Sequence, residues 1–186
     1  MRIINGLYKG KTLNFIKNLK TRPLKNIVRE SIFNVLKHSS FINVKINDSN
    51  VLDLYSGIGS FGLECLSRGS KKVVFIEQDK IAADILKNNL NLLSGSSKFE
   101  VINNKIENVL ENEDFIKLKI FFLDPPFKEN NFIKILAILR KRKIFEKKHI
   151  VIIHREKKTK ENLEKSLKIL VTRNYGRSKI IFGTFN

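Results

Sequence analysis

From residue 51 onward, apolar strand-like runs alternate with helical patterns, and this alternation constrains the fold more than any other feature. The strand-like runs are residues 51–55, 73–77, 99–103, 119–124 and 149–154, and the helical patterns are residues 60–69, 79–93 and 131–143. Apolar strands separated by amphipathic helices are typical of a mostly parallel sheet covered on both faces. Runs 167–173 and 179–185 are joined by a short connection, which predicts an antiparallel C-terminal hairpin. We therefore expect an α/β fold with a seven-stranded sheet.

The first 37 residues precede this alternating region. Alternation in residues 2–8 and the break at Gly10 predict a short hairpin, and apolar side chains recur at helical spacing from Lys25 to Lys37. Arg29 falls off the apolar face of that helix, so we expect its side chain to be free to meet a ligand. The 186 residues suit a single domain. We divide it into an N-terminal extension, residues 1–37, and a catalytic core, residues 38–186.

The formal charge of +18 is concentrated at the two ends of the chain. Residues 1–30 carry eight Lys and Arg against one Glu, residues 31–127 carry eleven against twelve acids, and residues 128–186 carry seventeen against five. A near-neutral centre between basic ends indicates a surface that binds a polyanion such as RNA or DNA. Compositional drift toward Lys, Asn and Ile is the alternative, although such drift would deplete arginines such as Arg22 and Arg29.

The composition of the chain also bears on disulfides, metal sites and cellular location. The lone cysteine, Cys65, excludes an internal disulfide framework and a multi-cysteine metal site. His38, His149 and His154 lack the spacing of metal ligands, so we assign them no role and expect no metal. No run approaches the roughly 20 apolar residues needed to cross a bilayer, and the start lacks a signal-peptide core. We expect a monomeric, cytoplasmic protein, with an organellar transit peptide as the alternative because the first thirty residues are basic.

A glycine-rich loop follows the first strand of the alternating region. Gly57, Gly59 and Gly62 satisfy G-x-G-x-x-G, and Glu77 ends the next strand, where a carboxylate accepts hydrogen bonds from ribose hydroxyls. The pattern alone fits either NAD or S-adenosylmethionine. Asp53, four residues before Gly57, would put negative charge near a pyrophosphate, which needs backbone N–H groups instead. Because S-adenosylmethionine offers an ammonium and no phosphate, we favour it over a dinucleotide.

Residues 121–127 read Phe-Phe-Leu-Asp-Pro-Pro-Phe, an apolar strand that ends in an acid, two prolines and an aromatic ring. Asp124 can accept one N–H of an exocyclic amine, and a main-chain carbonyl near Pro125 can accept the other, which turns the nitrogen lone pair toward an electrophilic methyl group. Pro125 and Pro126 hold the turn rigid, and Phe127 can stack on a base. The alternative is that Asp-Pro-Pro only ends a strand at a turn.

On these residues the chain resembles class I S-adenosylmethionine-dependent methyltransferases that methylate amino groups. More narrowly, it resembles the RsmD family, bacterial 16S ribosomal RNA guanine-N2 methyltransferases. The similarity runs nearly from end to end, and its N-terminal part is specific because generic methyltransferases lack it. The segments that carry it are residues 1–4, 6, 8–11, 13, 22–23, 28–30, 32–36, 52–69 and 122–127.

The resemblance implies a Rossmann-like class I methyltransferase fold and S-adenosylmethionine as the cofactor. It implies 16S rRNA, the small ribosomal subunit or an assembly intermediate as the partner. The implied catalytic residues are Asp124, Pro125, Pro126 and Phe127, and the implied cofactor-binding residues are Asp53, Tyr55, Ser56, Gly57, Gly59, Glu77, Gln78 and Asn104. The implied RNA-binding residues are Arg2, Lys9, Arg22 and Arg29. One departure is Asn103-Asn104-Lys105, where many relatives place an acid or amide followed by a small residue.

Two alternative functions stay open at the level of the sequence. The same catalyst could act on another amine, a DNA adenine N6 or a protein glutamine, because Asp-Pro-Pro-Phe orients an amine without specifying the molecule that carries it. The chain could also be a non-catalytic RNA-binding protein with a vestigial S-adenosylmethionine pocket.

Overall fold

A computed structural model describes residues 1–15, 24–93, 98–127 and 130–186. Within these ranges the helices are α1 Asn26–His38, α2 Ser60–Ser67, α3 Lys80–Asn91, α4 Ile106–Asn112 and α5 Phe132–Arg142. The strands are β1 Asn50–Leu54, β2 Lys72–Ile76, β3 Phe99–Ile102, β4 Leu118–Leu123, β5 Phe145–Glu156, β6 Leu167–Tyr175 and β7 Ser178–Phe185.

The strands form a seven-stranded sheet in the order β3-β2-β1-β4-β5-β7-β6. Strands β1 to β5 are parallel, and β7 runs antiparallel to both β5 and β6. The predicted mostly parallel sheet with an antiparallel C-terminal hairpin is confirmed. The strand order reverses between β1 and β4, and ligands bind at the carboxyl ends of the strands at such a switch point. A ligand site is therefore expected at the segments that follow β1 and β4.

Two elements differ from the sequence prediction. The sequence pattern does not predict helix α4, because its seven residues bury only Ile106, Val109 and Leu110, too few to show a clear helical period. Strand β5 is longer than the predicted run 149–154, because exposed lysines near its start interrupt the apolar pattern.

Apolar side chains fill both faces of the sheet. Successive residues of a strand point to opposite faces, so Val51 and Phe122 join one cluster while Leu52 and Phe121 join the other. The first cluster includes residues of α1, α2 and α3, and the second includes residues of α4 and α5. Helices thus cover both faces and leave the carboxyl edge of the parallel strands as the accessible end of the sheet.

The N-terminal segment packs along α2. The backbone N–H groups of Ile4 and Asn5 donate to the Glu64 carboxylate at 2.8 and 2.9 Å. The predicted hairpin is present as an isolated antiparallel bridge between Arg2 and Thr12. Apolar residues of this segment, of α1 and of α2 belong to one hydrophobic cluster. Among the described residues, residues 1–37 therefore have no hydrophobic core of their own.

Arg29 corrects one expectation. Its side chain is 0% exposed, so the inference that it is free to meet a ligand was wrong. The guanidinium donates to the Ser60 carbonyl at 3.3 Å, to Asn26 Oδ1 at 3.1 Å and to the Arg2 carbonyl, and its Nε lies 4.0 Å from Glu64 Oε2. The side chain does leave the apolar face of α1, but α2 and the N-terminal segment enclose it there. Arg29 therefore joins three elements inside the protein.

Candidate active site

The loop between β1 and α2 turns sharply enough to require left-handed backbone. Tyr55, Gly57 and Gly59 have φ values of +58°, +55° and +85°, and glycine adopts this region without the penalty that a Cβ imposes. A Cβ at Gly59 would lie 2.3 Å from Leu86 Cδ1, whereas one at Gly57 would meet nothing within 4 Å. Gly59 is therefore needed for contact with α3, while Gly57 leaves the outer side of the loop open to a ligand.

Asp53 is a buried carboxylate beneath this loop. Its Oδ2 accepts a hydrogen bond from the Gly62 N–H at 2.9 Å, and its Oδ1 has no hydrogen-bond partner among the described residues. Burial raises the pKa of Asp53 well above its usual value, the Gly62 hydrogen bond opposes this, and the Asp124 and Glu77 carboxylates add to it. A cation beside Asp53 would favour its ionised form. The pair of an orphaned oxygen and an open loop fits a ligand that carries an ammonium.

Glu77 follows β2 and lies across from the same loop. Its Oε2 accepts the Gly57 N–H at 2.7 Å, and its Oε1 accepts the Asp79 N–H at 2.8 Å. Burial raises the pKa of Glu77, and these backbone N–H groups oppose that effect. A carboxylate has about four lone-pair positions, so Glu77 keeps acceptor capacity for ribose hydroxyls. The Asn103 amide donates to the Glu77 carbonyl at 2.8 Å and ties this segment to the end of β3.

The other proposed cofactor-binding residues lie at the same edge of the sheet but differ in exposure and in hydrogen bonding. The Ser56 hydroxyl donates to the Asp53 carbonyl at 2.6 Å, so its side chain holds the loop together. Gln78 and Asn104 are exposed after β2 and β3. The side-chain oxygen of Asn104, Oδ1, accepts the Lys105 N–H at 2.8 Å and the Asn108 amide at 3.3 Å.

Asp124 follows β4, the neighbour of β1 on the other side of the switch point. Its N–H approaches the Leu54 carbonyl at 3.5 Å, which places the segment 124–127 beside the glycine loop. The Asp124 side chain is 19% exposed, and the Phe127 residue is 39% exposed. The structure thus brings an accessible carboxylate and an accessible aromatic ring to the edge where Asp53 and Glu77 lie.

His154, near the end of β5, contacts the catalytic segment, although the sequence pattern assigns it no role. Its Nδ1 lies 2.7 Å from Asp124 Oδ1, and its Nε2 lies 2.9 Å from Ser178 Oγ. The ring also meets Phe127 edge-on at 5.5 Å. Metal-ligand spacing could not reveal this contact. The available signal was that His154 ends the parallel strand predicted to follow the one that ends in Asp124.

Arg155 was likewise missed, and it holds the backbone of the same segment. Its side chain is 0% exposed, and its guanidinium donates to the carbonyls of Pro126 and Phe127 at 3.0 and 2.9 Å. The Pro125 carbonyl is a weaker partner at 3.5 Å. Glu161 balances the charge, because its Oε1 accepts from Arg155 Nε at 2.9 Å. The rigidity expected from the two prolines therefore has a second source.

The proposed RNA-binding residues differ in exposure. Arg2 and Lys9 are exposed, Arg29 is buried, and Arg22 lies outside the described residues. Lys9 belongs to the turn that hydrogen-bonds Ser67, the last residue of α2. An eight-residue helix is about 12 Å long, so this turn lies roughly one helix length from the glycine loop where α2 begins.

Metal and membrane sites are both missing from the described ranges. No group of three or more His, Cys, Asp or Glu side chains there could hold a metal ion. No helix in these ranges combines the length and the apolar character that a membrane span requires.

The sequence of the whole chain decides its family. A family model described as "Conserved hypothetical protein 95" matches residues 1–184. The chain belongs to this family, the RsmD methyltransferases. Ribosomal RNA small subunit methyltransferase D of Haemophilus influenzae is 34% identical to this RsmD-family chain over 159 residues, which are 84% of this chain and 79% of that protein. The protein of the same name from Buchnera aphidicola subsp. Baizongia pistaciae is 32% identical and covers 84% and 76%.

Solved structures agree with this membership. The crystal structure of a methylase from Haemophilus influenzae matches with a TM-score of 0.77 at 30% identity and covers 100% of this chain and 98% of that chain. A methyltransferase from Escherichia coli matches with a TM-score of 0.84 at 23% identity and covers 100% and 98%. The RsmD-family chain therefore has the fold of class I S-adenosylmethionine-dependent methyltransferases.

Proposed function

We propose that this RsmD-family protein transfers a methyl group from S-adenosylmethionine to the N2 amine of a guanine in 16S ribosomal RNA. The observation that carries the proposal is the accessible Asp124 carboxylate beside the glycine loop, at the switch point of the sheet. The names of the relatives support ribosomal RNA of the small subunit as the substrate. The proposed cofactor-binding residues and the proposed amine-binding residues lie in one chain, so we propose that it acts as a monomer on free 16S rRNA, the small subunit or an assembly intermediate.

The cofactor is S-adenosylmethionine, whose sulfonium supplies the methyl group to be transferred. Asp53 would hold its ammonium, because one oxygen of this carboxylate has no hydrogen-bond partner among the described residues and the adjoining loop is open at Gly57. Glu77 would accept the ribose hydroxyls. Tyr55, Ser56, Gly57 and Gly59 would shape the loop around the methionyl end, and Gln78 and Asn104 would lie toward the adenine.

Orientation of the amine is the main task of the catalytic segment. The lone pair of an exocyclic guanine amine is delocalised into the ring, so the amine is a poor nucleophile until its hydrogens are fixed. Asp124 accepts one N–H, and the Pro125 carbonyl accepts the other, since Arg155 chiefly occupies the carbonyls of Pro126 and Phe127. The Phe127 ring stacks on a base turned out of the RNA, a contact worth about 1–3 kcal/mol.

Replacing Glu77 with alanine should weaken S-adenosylmethionine binding by about 10-fold to 100-fold. The physical reason is that hydrogen bonds to a charged group contribute roughly 1.5–3 kcal/mol each, and the variant also frees the Gly57 N–H that Glu77 holds. Titration calorimetry of the purified protein measures the change. Glu100→Ala is the matched control, because Glu100 is an exposed acid on β3 whose carboxylate pairs with Lys72. Equal affinity of the wild type and Glu77→Ala would remove Glu77 from the cofactor site.

The basic ends should make RNA affinity fall steeply with salt. Exposed cations such as Lys157, Lys158, Arg173 and Arg177 accompany Arg2 and Lys9, and contacts between cations and phosphates release counterions on binding. For about six such contacts we expect at least a 100-fold loss of affinity between roughly 50 and 200 mM salt. Fluorescence anisotropy with a labelled 16S rRNA fragment measures it. An affinity that does not respond to salt would assign the basic excess to compositional drift.

The position of the methyl group tests the function directly. Small-subunit RNA is incubated with the protein and labelled S-adenosylmethionine, digested to nucleosides and analysed by mass spectrometry. Label on guanine N2 supports the proposal. Label that appears only on adenine N6 of added DNA, or on a protein glutamine, would show that the protein methylates an amine of another substrate. Tight RNA binding without uptake of S-adenosylmethionine would identify a non-catalytic RNA-binding protein.

A further inference from the structure

A chain of hydrogen bonds leads from the catalytic carboxylate across three adjacent strands. Asp124 follows β4, His154 lies in β5, and Ser178 begins β7, and these strands are neighbours in the sheet. His154 Nδ1 lies 2.7 Å from Asp124 Oδ1, and its Nε2 lies 2.9 Å from Ser178 Oγ. Both ring nitrogens therefore have partners, and the imidazole is held at each end.

The hydrogen-bonding capacities of the three groups determine where the hydrogens lie. An ionised carboxylate only accepts, so Nδ1 of His154 carries a hydrogen and donates it to Asp124 Oδ1. In a neutral ring, Nε2 then accepts from the Ser178 hydroxyl, and in a charged ring it donates to that hydroxyl. In either state Oδ1 of Asp124 is occupied by a donor. The second oxygen, Oδ2, is the one left for a substrate N–H.

We propose that His154 is a positioning residue for methyl transfer, which fixes the Asp124 carboxylate so that Oδ2 accepts from the target amine. This inference rests on the proposed function, since it assumes that Asp124 receives an amine N–H. A carboxylate without this donor could rotate about its χ2 bond, and an amine held by it would lose its orientation.

The packing of the His154 ring is separable from its hydrogen bonds. The ring meets Phe127 edge-on at 5.5 Å and 78°, so packing alone could account for its burial. The next residue, Arg155, donates to the carbonyls of the same segment and is balanced by Glu161. A purely structural histidine would therefore affect stability, whereas a positioning histidine affects turnover through one particular nitrogen. Substitutions that preserve one nitrogen at a time separate these two roles.

Asparagine and glutamine provide that separation. In His154→Asn the amide nitrogen takes the place of Nδ1 and retains a donor to Asp124, while the Ser178 contact is lost. In His154→Gln the amide reaches the place of Nε2 and retains the Ser178 contact, while the donor to Asp124 is lost. His154→Phe keeps the packing against Phe127 and loses both hydrogen bonds. The inference predicts that activity follows the bond to Asp124 and not the size of the side chain.

The experiment measures kcat and KM for both substrates with 16S rRNA, beside the melting temperature of each variant. We expect kcat of His154→Gln and His154→Phe to fall by about 10-fold to 100-fold, the loss typical of a hydrogen bond to a charged group. His154→Asn should stay within about 5-fold of the wild type, and KM for S-adenosylmethionine should change little in all three variants. Wild-type kcat in His154→Gln, or an equal loss in His154→Asn and His154→Gln, would overturn the inference.

Two controls keep this result independent of folding and of the proposed function. His149→Gln alters another buried histidine of β5, whose Nδ1 meets the Glu146 carbonyl and whose Nε2 accepts the Phe185 N–H, so it should lower stability without changing kcat. If the His154 variants do not fold, Ser178→Ala decides: it keeps the donor to Asp124, so kcat should stay within about 5-fold of the wild type, and a loss of about 10-fold or more would count against the inference. A wild-type protein that methylates a different amine would refute the proposed guanine substrate, and the same variants would then test His154 on that amine.

Discussion

Replacing Asp124 with alanine should reduce kcat for rRNA methylation by about 10²-fold to 10³-fold, the range observed when one preorganised hydrogen-bonding group is removed from a catalytic site. The bond that Asp124 makes to the amine strengthens as the nitrogen gains positive charge, so its loss acts on the transition state more than on the bound substrate. The affinity for S-adenosylmethionine should be retained, because Asp53 and Glu77 keep their contacts with the glycine loop. Single-turnover assays with labelled cofactor, beside calorimetry, measure both quantities.

Asp124→Asn separates hydrogen bonding from charge at this position. The amide oxygen can still accept from the substrate, while the amide nitrogen can donate to His154 if its ring carries the hydrogen on Nε2 and donates to Ser178. We expect a loss of about 10-fold, smaller than that of the alanine variant. Asp114→Ala provides the control for removal of an acid, because Asp114 is exposed and contacts only Arg142 among the ion pairs of the described residues. Near wild-type turnover by Asp124→Ala would remove Asp124 from the mechanism.

The strands and the sheet edge at which they end could be predicted, because both follow from the local sequence pattern. The period of the apolar residues predicted the strands, and parallel neighbouring strands must carry their terminal residues to one edge. Glu77 and Asp124 follow or end such a strand and Asp53 lies next to the end of one, so their proximity could be inferred before any coordinates. Their roles toward the cofactor and the amine are still proposals, which the substitutions above test.

The features that depend on contacts between distant segments could not be predicted. Arg29 leaves the apolar face of its helix, as the periodicity indicates, but Glu64 and the N-terminal segment enclose it, and neither is visible in the local pattern. The side chains of His154 and Arg155 contact partners about thirty residues away in the chain. A polar residue at the end of a strand gives no local sign of the neighbour that its side chain will reach.

Arg155→Met should lower the free energy of unfolding by about 3–5 kcal/mol, because it breaks the buried ion pair with Glu161 and leaves Lys179 as the other ion-pair partner of that carboxylate. Burial would raise the pKa of Glu161, but hydrogen bonds from Lys179, Thr159 and Arg155 lower it overall, so the ionised form is the one that folding stabilises. The variant also frees the carbonyls of Pro126 and Phe127. Urea unfolding followed by circular dichroism measures the stability.

Loss of the hydrogen bonds from Arg155 to the carbonyls of Pro126 and Phe127 should also reduce kcat, since a displacement of about 1 Å in a catalytic group can cost roughly 100-fold. The double variant Arg155→Met, Glu161→Gln distinguishes the two effects, because it removes both buried charges while the new amide oxygen can still accept from Lys179. It should be more stable than Arg155→Met yet equally slow, because the carbonyls of the catalytic segment remain without their donor. Lys119→Met is the control for loss of a paired cation, since Lys119 is 33% exposed in its pair with Glu146 and surface pairs contribute little. A double variant with restored kcat would show that Arg155 stabilises the fold without holding the segment in its reactive position.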